Sequence, residues 1–169
     1  FRKTMVIMTP KSLLRHKLAV STLSEMESGT HFHFVYPEID AIAPDAQVKR
    51  VVLCTGKVYY DLLAERRDAG VDDVAIVRIE QLYPFPARSL AAQLARYPNA
   101  AVVWCQEEPE NMGAWLFADR RIEAVLTGLS GKAKRPSFVG RREAASPATG
   151  LARTHNAEQK ALVSSALAA

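Results

Sequence analysis

The chain has 169 residues, of which 49% are hydrophobic and 24% are charged, and it carries a formal net charge of +4. These values place it in the ordinary soluble globular class and predict one domain with one sizeable core. The basic residues lie in scattered pairs, which disfavours a nucleic-acid surface, and no segment has the length of a membrane span or the pattern of a signal peptide.

The N-terminal segment contains two short predicted elements. An apolar run over residues 4–8 predicts a strand, or the approach from a preceding domain. Residues 13–18 predict a helix capped by Ser12. A start at Phe1 rather than Met suggests a fragment of a longer polypeptide.

Residues 31–36 alternate polar and apolar side chains and stop at Pro37, a pattern that predicts an edge strand. His31 and His33 would share one face of that strand. Two interpretations are open: a metal site, or, as the missing third ligand favours, two histidines that face solvent or a partner.

The middle of the chain alternates strands and helices. Strands are predicted at residues 48–54, 74–79 and 101–105, with helices at 58–69 and 87–97 between them. This order predicts neighbouring parallel strands joined by right-handed crossovers. The β-branched run at 74–79 suits a strand covered on both faces, and we expect it at the centre of the sheet.

The rest of the chain completes an α/β pattern. It predicts a helix from Met112 or Gly113 to about Leu126, a strand at 137–140, a loop at 141–150 and a helix at 154–168. Together the elements predict a three-layer α/β/α fold with a mainly parallel sheet of about five strands.

Cys54 and Cys105 each lie inside an apolar, strand-like run. Free thiols in such runs behave as small hydrophobic groups, and the two could be neighbours on adjacent strands. A single possible pair in a chain of this size does not predict a secreted disulfide scaffold.

The turn Thr55-Gly56-Lys57 separates a predicted strand from a predicted helix. A helix N-terminus at such a place can hold an anion. One glycine is not a phosphate-binding fingerprint, however, so a tight structural turn is the favoured interpretation.

No motif predicts a reaction centre. Glu107 and Glu108 follow a predicted strand, but adjacent residues of an extended chain point in opposite directions. We therefore expect one carboxylate to accept hydrogen bonds and the other to face a partner. Because the chain lacks a G-x-S-x-G elbow and any cluster with metal spacing, no catalytic residue and no metal ligand is predicted.

Several blocks of sequence carry a resemblance to a known family. They are Thr9-Pro-Lys-Ser-Leu-Leu-Arg-His16, Cys54-Thr-Gly-Lys-Val-Tyr-Tyr60, Arg78-Ile-Glu-Gln-Leu82, Tyr97-Pro-Asn99, Gln106-Glu-Glu-Pro109 with Asn111 and Gly113-Ala-Trp115, and Pro147-Ala-Thr-Gly150 with His155. In this order they resemble the C-terminal domain of the thiamine-diphosphate-dependent decarboxylating component of 2-oxoglutarate dehydrogenase. The resemblance covers nearly the whole chain.

The resemblance implies a transketolase-type C-terminal domain over residues 1–169, with residues 1–30 as a lead-in from the preceding domain. It implies a parent enzyme that decarboxylates 2-oxoglutarate and passes the succinyl group to a lipoyl-bearing succinyltransferase. Thiamine diphosphate and magnesium would be bound by preceding domains, and this non-catalytic segment would support a homodimer without binding a cofactor itself. The absence of a Gly-Asp-Gly thiamine motif from the chain fits that division.

The alanine- and arginine-rich chain shows no targeting segment, which indicates a location, and two alternatives to the main interpretation stay open. The expected location is a bacterial cytoplasm, or the mitochondrial matrix in a eukaryote. The alternatives are a stand-alone flavodoxin-like ligand-binding module and the C-terminal domain of another transketolase-like enzyme.

Some members of the family bind an acyl-CoA or nucleotide effector on this domain, and the matching positions here are Gln81 and Arg88. An arginine at a helix N-terminus suits a phosphate group. The regulated enzymes have a lysine, a serine and a second arginine where this chain has His31, Phe34 and Ser89. Binding of acetyl-CoA and simple pairing of Arg88 with a subunit neighbour are therefore both open.

The polar stretch 106–115 is expected to hold a subunit rather than a substrate. Its candidate interface residues are Gln106, Glu107, Glu108, Asn111 and Trp115.

Overall fold

The computed structural model describes residues 2–169, which divide into an N-terminal unit that extends to Phe32 and a second unit, His33–Ala169. Among its described residues, the N-terminal unit has two short 3-10 helices, Lys11–Leu13 and Leu23–Met26. In the second of these, the carboxylate of Glu25 accepts a hydrogen bond from the backbone N–H of Thr22 at 2.7 Å.

Two predictions for this unit are wrong. Residues 4–8 form no strand, because no described strand pairs with their backbone groups, which a strand requires. Residues 13–18 form no α-helix, because the 3-10 turn that precedes them ends at Leu13 and buries no side chain against which a helix could pack.

The second unit holds a sheet of five strands and four α-helices among its described residues. In chain order they are β1 (Val35–Tyr36), β2 (Arg50–Cys54), α1 (Val58–Ala69), β3 (Val74–Ile79), α2 (Ala87–Leu94), β4 (Ala101–Pro109), α3 (Trp115–Thr127), β5 (Ser137–Arg141) and α4 (Ala152–Leu167). The strand order is β1-β3-β2-β4-β5, and every pair is parallel except β1 with β3. The predicted edge strand is therefore confirmed, although it is shortened to two residues.

The central strand is β2, and the expectation that residues 74–79 lie at the centre is wrong. β2 pairs with β3 on one side and with β4 on the other, while β3 lies next to the edge strand. The connection from β3 to β4 therefore crosses over β2, so these consecutive strands are not neighbours. The apolar run of β3 indicates that this strand is buried on both faces, but β2 is buried in the same way. The run therefore could not identify the central strand.

Alternate residues of the strands face two helical layers. One face of the sheet, with Val51, Leu53 and Val77, belongs to a core cluster that also contains Leu90 of α2 and Ile122 of α3. Helices α1 and α4 pack together and against the strands, and they bury Leu62 and Leu162. The three-layer α/β/α prediction is therefore confirmed.

The observed ends of the helices and strands agree with the predicted ends in some elements and differ in others. The bounds of α1 and β3 match the predicted ranges, and Gly70 closes α1 with a φ of 64° as expected of a left-handed C-terminal glycine. The helix predicted from residue 112 or 113 begins instead at Trp115, because Gly113 has a φ of 67° and cannot belong to a right-handed helix. Helix α2 ends at Leu94 rather than at Tyr97.

Candidate functional site at the carboxyl end of the sheet

The strand order creates a crevice at the carboxyl ends of β2 and β4. The connection that follows β2 leads to β3 on one side, whereas the connection that follows β4 leads to β5 on the other side. The two connections therefore diverge between β2 and β4, as they do at the ligand-binding crevices of open α/β sheets. A cavity of about 450 Å³ occupies this place. It is lined by Thr55, Leu82, Tyr83, Gln106, Glu108, Gly113, Ala114 and Phe117.

Gln106 organises the loop that forms one wall of the crevice. Gln106 is only 2% exposed. Its Oε1 accepts hydrogen bonds from Trp104 Nε1 at 2.9 Å and from the backbone N–H of Trp115 at 3.0 Å. Its Nε2 donates to the carbonyl oxygens of Met112 at 2.7 Å and Pro109 at 3.1 Å. One amide side chain thus ties the end of β4 to the start of α3.

Gly113 lets the loop close around that amide. A Cβ at this position would lie 3.0 Å from Gln106 Nε2 and 3.0 Å from the Cβ of Glu108, and the φ of 67° is one that side chains disfavour. Both observations require glycine here. The loop is therefore shaped by a glutamine and a glycine that act on each other.

The adjacent carboxylates point to different surroundings, as their extended backbone predicts. Glu107 is partly buried and accepts hydrogen bonds from Lys57 Nζ and, at 2.8 Å, from Gln159 Nε2, whereas Glu108 is exposed. Burial opposes the charged form of Lys57, but the hydrogen bond and charge of Glu107 outweigh it and raise the pKa of Lys57. Lys57, the cation beside the Gly56 turn, is thus paired with a carboxylate of the same chain. This pairing favours a structural turn over an anion-binding site.

Asn111 and Trp115 have different positions. Trp115 is buried and its ring packs on Phe138 with centroids 5.3 Å apart. Asn111 is exposed, and its side-chain amide pairs with the backbone of Ala144, donating at 3.0 Å and accepting at 3.2 Å. The assignment of the loop residues to a subunit interface stays a prediction, and within the chain Gln106 and Trp115 have interior roles.

The two candidate effector residues lie on the loop after β3 and at the start of α2. Gln81 Nε2 donates to the carbonyl oxygen of Pro84 at 2.8 Å, which braces the proline loop from inside. Arg88 is exposed, and within residues 2–169 it has no hydrogen bond or ion pair. Its guanidinium is therefore available to an anion at the α2 N-terminus.

Sequence reasoning missed an arginine held between aromatic rings. The guanidinium of Arg78 lies 4.6 Å from the ring centroid of Tyr36 and 4.4 Å from that of Tyr59, donates to Tyr60 Oη at 3.3 Å and forms a 2.5 Å ion pair with Glu80. These residues lie far apart along the chain, so only the paired strands bring them together. The tyrosine pair in the helix after β2 was the one available signal.

Two kinds of feature are absent from the described part of the chain. Within residues 2–169, no group of three or more His, Cys, Asp or Glu side chains could hold a metal ion, and His31 and His33 are both exposed. The helices of the same residues include none long and apolar enough to cross a membrane.

Comparison with known proteins gives a consistent result. The model of the 2-oxoglutarate dehydrogenase C-terminal family matches residues 20–167. Curated proteins named 2-oxoglutarate dehydrogenase E1 component from Brucella anthropi and Brucella ovis are each 51% identical to the chain over 175 residues. These alignments cover 99% of the chain but only 18% and 17% of the two relatives, so the chain spans a small part of their length.

Proposed function

The chain belongs to the 2-oxoglutarate dehydrogenase C-terminal family, and from that premise we propose that it is the non-catalytic C-terminal domain of an E1 component and supports its homodimer. The parent enzyme decarboxylates 2-oxoglutarate on thiamine diphosphate and transfers the succinyl group to a lipoyl arm. In this proposal thiamine diphosphate and magnesium are bound by the preceding domains, and no step of that reaction is assigned to residues of this chain.

The apolar surface at the carboxyl-end crevice supports the dimer proposal most directly. Tyr83, which lines the cavity, is 80% exposed. Leu116 is 69% exposed and is the chain neighbour of Phe117, a partly buried residue that lines the cavity. Exposed aromatic and aliphatic side chains around a cavity are typical of a protein interface rather than a free surface. The loop held by Gln106 gives this surface a fixed shape, which a specific contact requires.

The N-terminal unit supports the proposal that residues 1–30 lead in from a preceding domain. Met5, Val6, Ile7 and Met8 are between 66% and 90% exposed, which is unusual for four consecutive apolar residues. The relative from Brucella anthropi has most of its length outside the part that matches this chain. In the proposed arrangement, this segment packs against that remaining chain and becomes covered.

The dimer proposal is tested in the full-length protein by a charge at Leu116, the exposed neighbour of the cavity-lining Phe117. Leu116→Lys should raise the dimer dissociation constant at least about tenfold in sedimentation experiments, because a buried lysine without a partner opposes association. Leu151→Lys is the matched control, since Leu151 is an exposed leucine 72% accessible in a different part of the chain. An unchanged dimer in Leu116→Lys would contradict the proposal.

The parent activity is tested with the full-length protein and with the chain alone. The full-length protein should decarboxylate 2-oxoglutarate far faster than pyruvate, and residues 1–169 alone should be inactive. A preference for pyruvate or for a sugar phosphate would favour another transketolase-like enzyme. Decarboxylation by the isolated chain would contradict its non-catalytic role.

We also propose an effector site for acetyl-CoA or a nucleotide at Gln81 and Arg88. The unpaired, exposed guanidinium of Arg88 at the α2 N-terminus supports it, because the arginine and the helix dipole both favour phosphate. Titration of the full-length protein with acetyl-CoA should give binding that Arg88→Ala weakens and that Arg153→Ala, the loss of an exposed arginine on α4, leaves unchanged. Equal binding by both variants would reject the site.

A further inference from the structure

A second cavity lies at the opposite edge of the sheet from β1. It has a volume of about 630 Å³ and is bounded by β5, by α4 and by residues 142–150, which we call the strap. This volume is within the range of small-molecule sites. Within residues 2–169, β5 pairs with no strand other than β4, and none of the cavity's lining residues belongs to the carboxyl-end crevice.

The wall of this cavity contains a buried arginine whose hydrogen-bonding capacity is incompletely used. Arg141 is 8% exposed, and its Nη2 donates to the Gln159 side-chain oxygen at 3.1 Å while its Nη1 lies 3.0 Å from His155 Nδ1. Its Nε is buried and has no hydrogen-bond partner among the described residues. A buried donor without an acceptor is unfavourable, so the group is suited to an additional acceptor.

The charge of Arg141 is also weakly compensated. Its one acidic neighbour within ion-pair distance among residues 2–169 is Glu158, and the Nη1–Oε2 distance is 3.4 Å. The same Oε2 accepts a hydrogen bond from the Thr149 hydroxyl at 2.5 Å, which holds the carboxylate toward the strap. A guanidinium between a neutral amide and a shared carboxylate retains the capacity to bind an oxyanion, for which its fork of donors is suited.

The charges at the rim limit the kind of ligand. Arg142 is exposed beside the cavity, but so are Glu110 and Glu143, and Glu158 lies in the wall. Three carboxylates near the opening repel a polyanion, whereas they tolerate one anionic group joined to a neutral or cationic remainder. The ligand should therefore be small and carry a single anionic group.

The strap gives a route of entry that leaves the sheet intact. Residues 142–148 are exposed, and the contacts of Ala144 with Asn111 and of Thr149 with Glu158 tie the strap to its surroundings. The Ala144 contacts are exposed and the Thr149 contact is partly buried, and hydrogen bonds near solvent open with little loss of stability. Opening them would uncover the Arg141 side of the cavity without breaking the pairing of β5 with β4.

We infer that this cavity binds a small organic acid or phosphate ester through one anionic group held by Arg141. The inference does not depend on the proposed dimer or on the effector site at Arg88. Carboxylate and phosphate share the recognition chemistry, and the strap encloses too little volume for a macromolecule.

The test uses the full-length protein and two probes, propionate and inorganic phosphate, titrated calorimetrically at constant ionic strength against sodium chloride. At least one probe should bind, and the arm that binds identifies the anionic group as carboxylate or phosphate. Arg141→Gln should weaken binding at least about tenfold, because the anion loses a charge-assisted hydrogen bond from the guanidinium. Arg153→Gln removes an exposed charge of α4 that does not line the cavity and should leave the affinity within about twofold.

A second variant keeps the inference testable if Arg141→Gln fails to fold. Ala161 is an exposed residue of α4 that lines the cavity, so Ala161→Phe should fill the space while leaving Arg141 in place. It should abolish the same component of binding. The inference is overturned if neither probe binds the wild-type protein, or if binding survives Ala161→Phe.

Discussion

Arg66 and Glu38 form a bidentate pair in the interior, with Arg66 Nη1 bonded to Glu38 Oε2 and Nη2 bonded to Oε1 at 2.7 Å. Their side chains are 2% and 4% exposed. Arg66 Nη1 also donates to the Val74 carbonyl at 2.9 Å, and Glu38 Oε2 accepts from the Ile76 backbone N–H at 2.7 Å. One ion pair thus connects the segment after β1, helix α1 and strand β3.

Breaking this pair should strongly destabilise the chain. Arg66→Met leaves the Glu38 carboxylate buried without its cation, and we expect the free energy of unfolding in urea to fall by about 3–5 kcal/mol. Arg67→Met is the control, because the Arg67 side chain is 41% exposed and its ion pair should contribute about 1 kcal/mol or less. Similar losses in the two variants would contradict the distinction.

Stability should decrease at acidic pH through Asp40. A hydrogen bond from Arg67 is the largest influence on this carboxyl group, and together with Arg66 it lowers the pKa of Asp40 from 3.8 to about 2 against the opposing effect of burial. Because the folded-state pKa is depressed, the contribution is fully present above pH 4 and is lost as the pH falls toward about 2.

The Asp40 contribution should be on the order of 1–2 kcal/mol after allowance for solvent screening of a side chain that is 24% exposed. Asp40→Asn should reduce the free energy of unfolding by this amount at neutral pH, and its difference from wild type should shrink below pH 4 and vanish only as the pH falls below about 2. Asp68→Asn, at an exposed carboxylate of α1, should follow the wild-type curve. A constant difference between Asp40→Asn and wild type at every pH would refute this linkage.

Gly113→Ala should destabilise the loop after β4. The added Cβ would meet Gln106 Nε2 and the Glu108 Cβ at 3.0 Å, and alanine disfavours a φ of 67°. We expect a loss of about 1–3 kcal/mol in the free energy of unfolding. Gly150→Ala, where nothing lies within 4 Å of the added Cβ, should change stability by less than about 0.5 kcal/mol.

Gln106→Leu should have a larger effect than Gly113→Ala. It leaves the indole N–H of Trp104 and the backbone N–H of Trp115 without their acceptor in a buried site. Each unsatisfied buried donor costs about 1–3 kcal/mol. We therefore expect chemical denaturation to show a loss of about 3 kcal/mol in the free energy of unfolding. A neutral effect would mean that water or a rearranged backbone replaces the amide.

The two thiols should resist modification in the folded chain. Burial is the main cause that raises the pKa of Cys105 to about 12, and it also raises the pKa of Cys54. Since the thiolate is the reactive form, a disulfide reagent at mildly alkaline pH should modify neither thiol in native buffer and both in denaturant. Rapid modification in native buffer would contradict their burial.

Local sequence signals account for the fold class and for most of the element ranges. The apolar runs at β2, β3 and β4 and the glycine after α1 carry their own structural information, so these elements were predictable. Strand order was not predictable, because β2 and β3 are both apolar runs buried on both faces and the crossover over β2 depends on packing between distant segments. For the two cysteines, burial was predictable and a position on adjacent strands was left open by the sequence; the structure aligns Cys54 of β2 with Cys105 of β4.

The candidate site was only partly predictable. The polar stretch 106–115 was predicted to hold a subunit, and that assignment stays a prediction. The structure places Gln106 within β4, with interior hydrogen bonds that its polar character did not predict. Arg78 and Arg141 were missed because their partners come from other elements of the sheet and from α4. Such relationships arise from tertiary packing, which a single sequence does not encode in its local pattern.

The position of β2 also determines how the chain should exchange its amide hydrogens. β2 is hydrogen-bonded to β3 on one side and to β4 on the other, and residues 51–54 are fully buried. Amides in such a strand exchange only when the whole unit opens, whereas those of the exposed residues 142–148 exchange through local fluctuations. Deuterium uptake should therefore begin at the strap and reach β2 last, so the slowest amides would report the global free energy of unfolding.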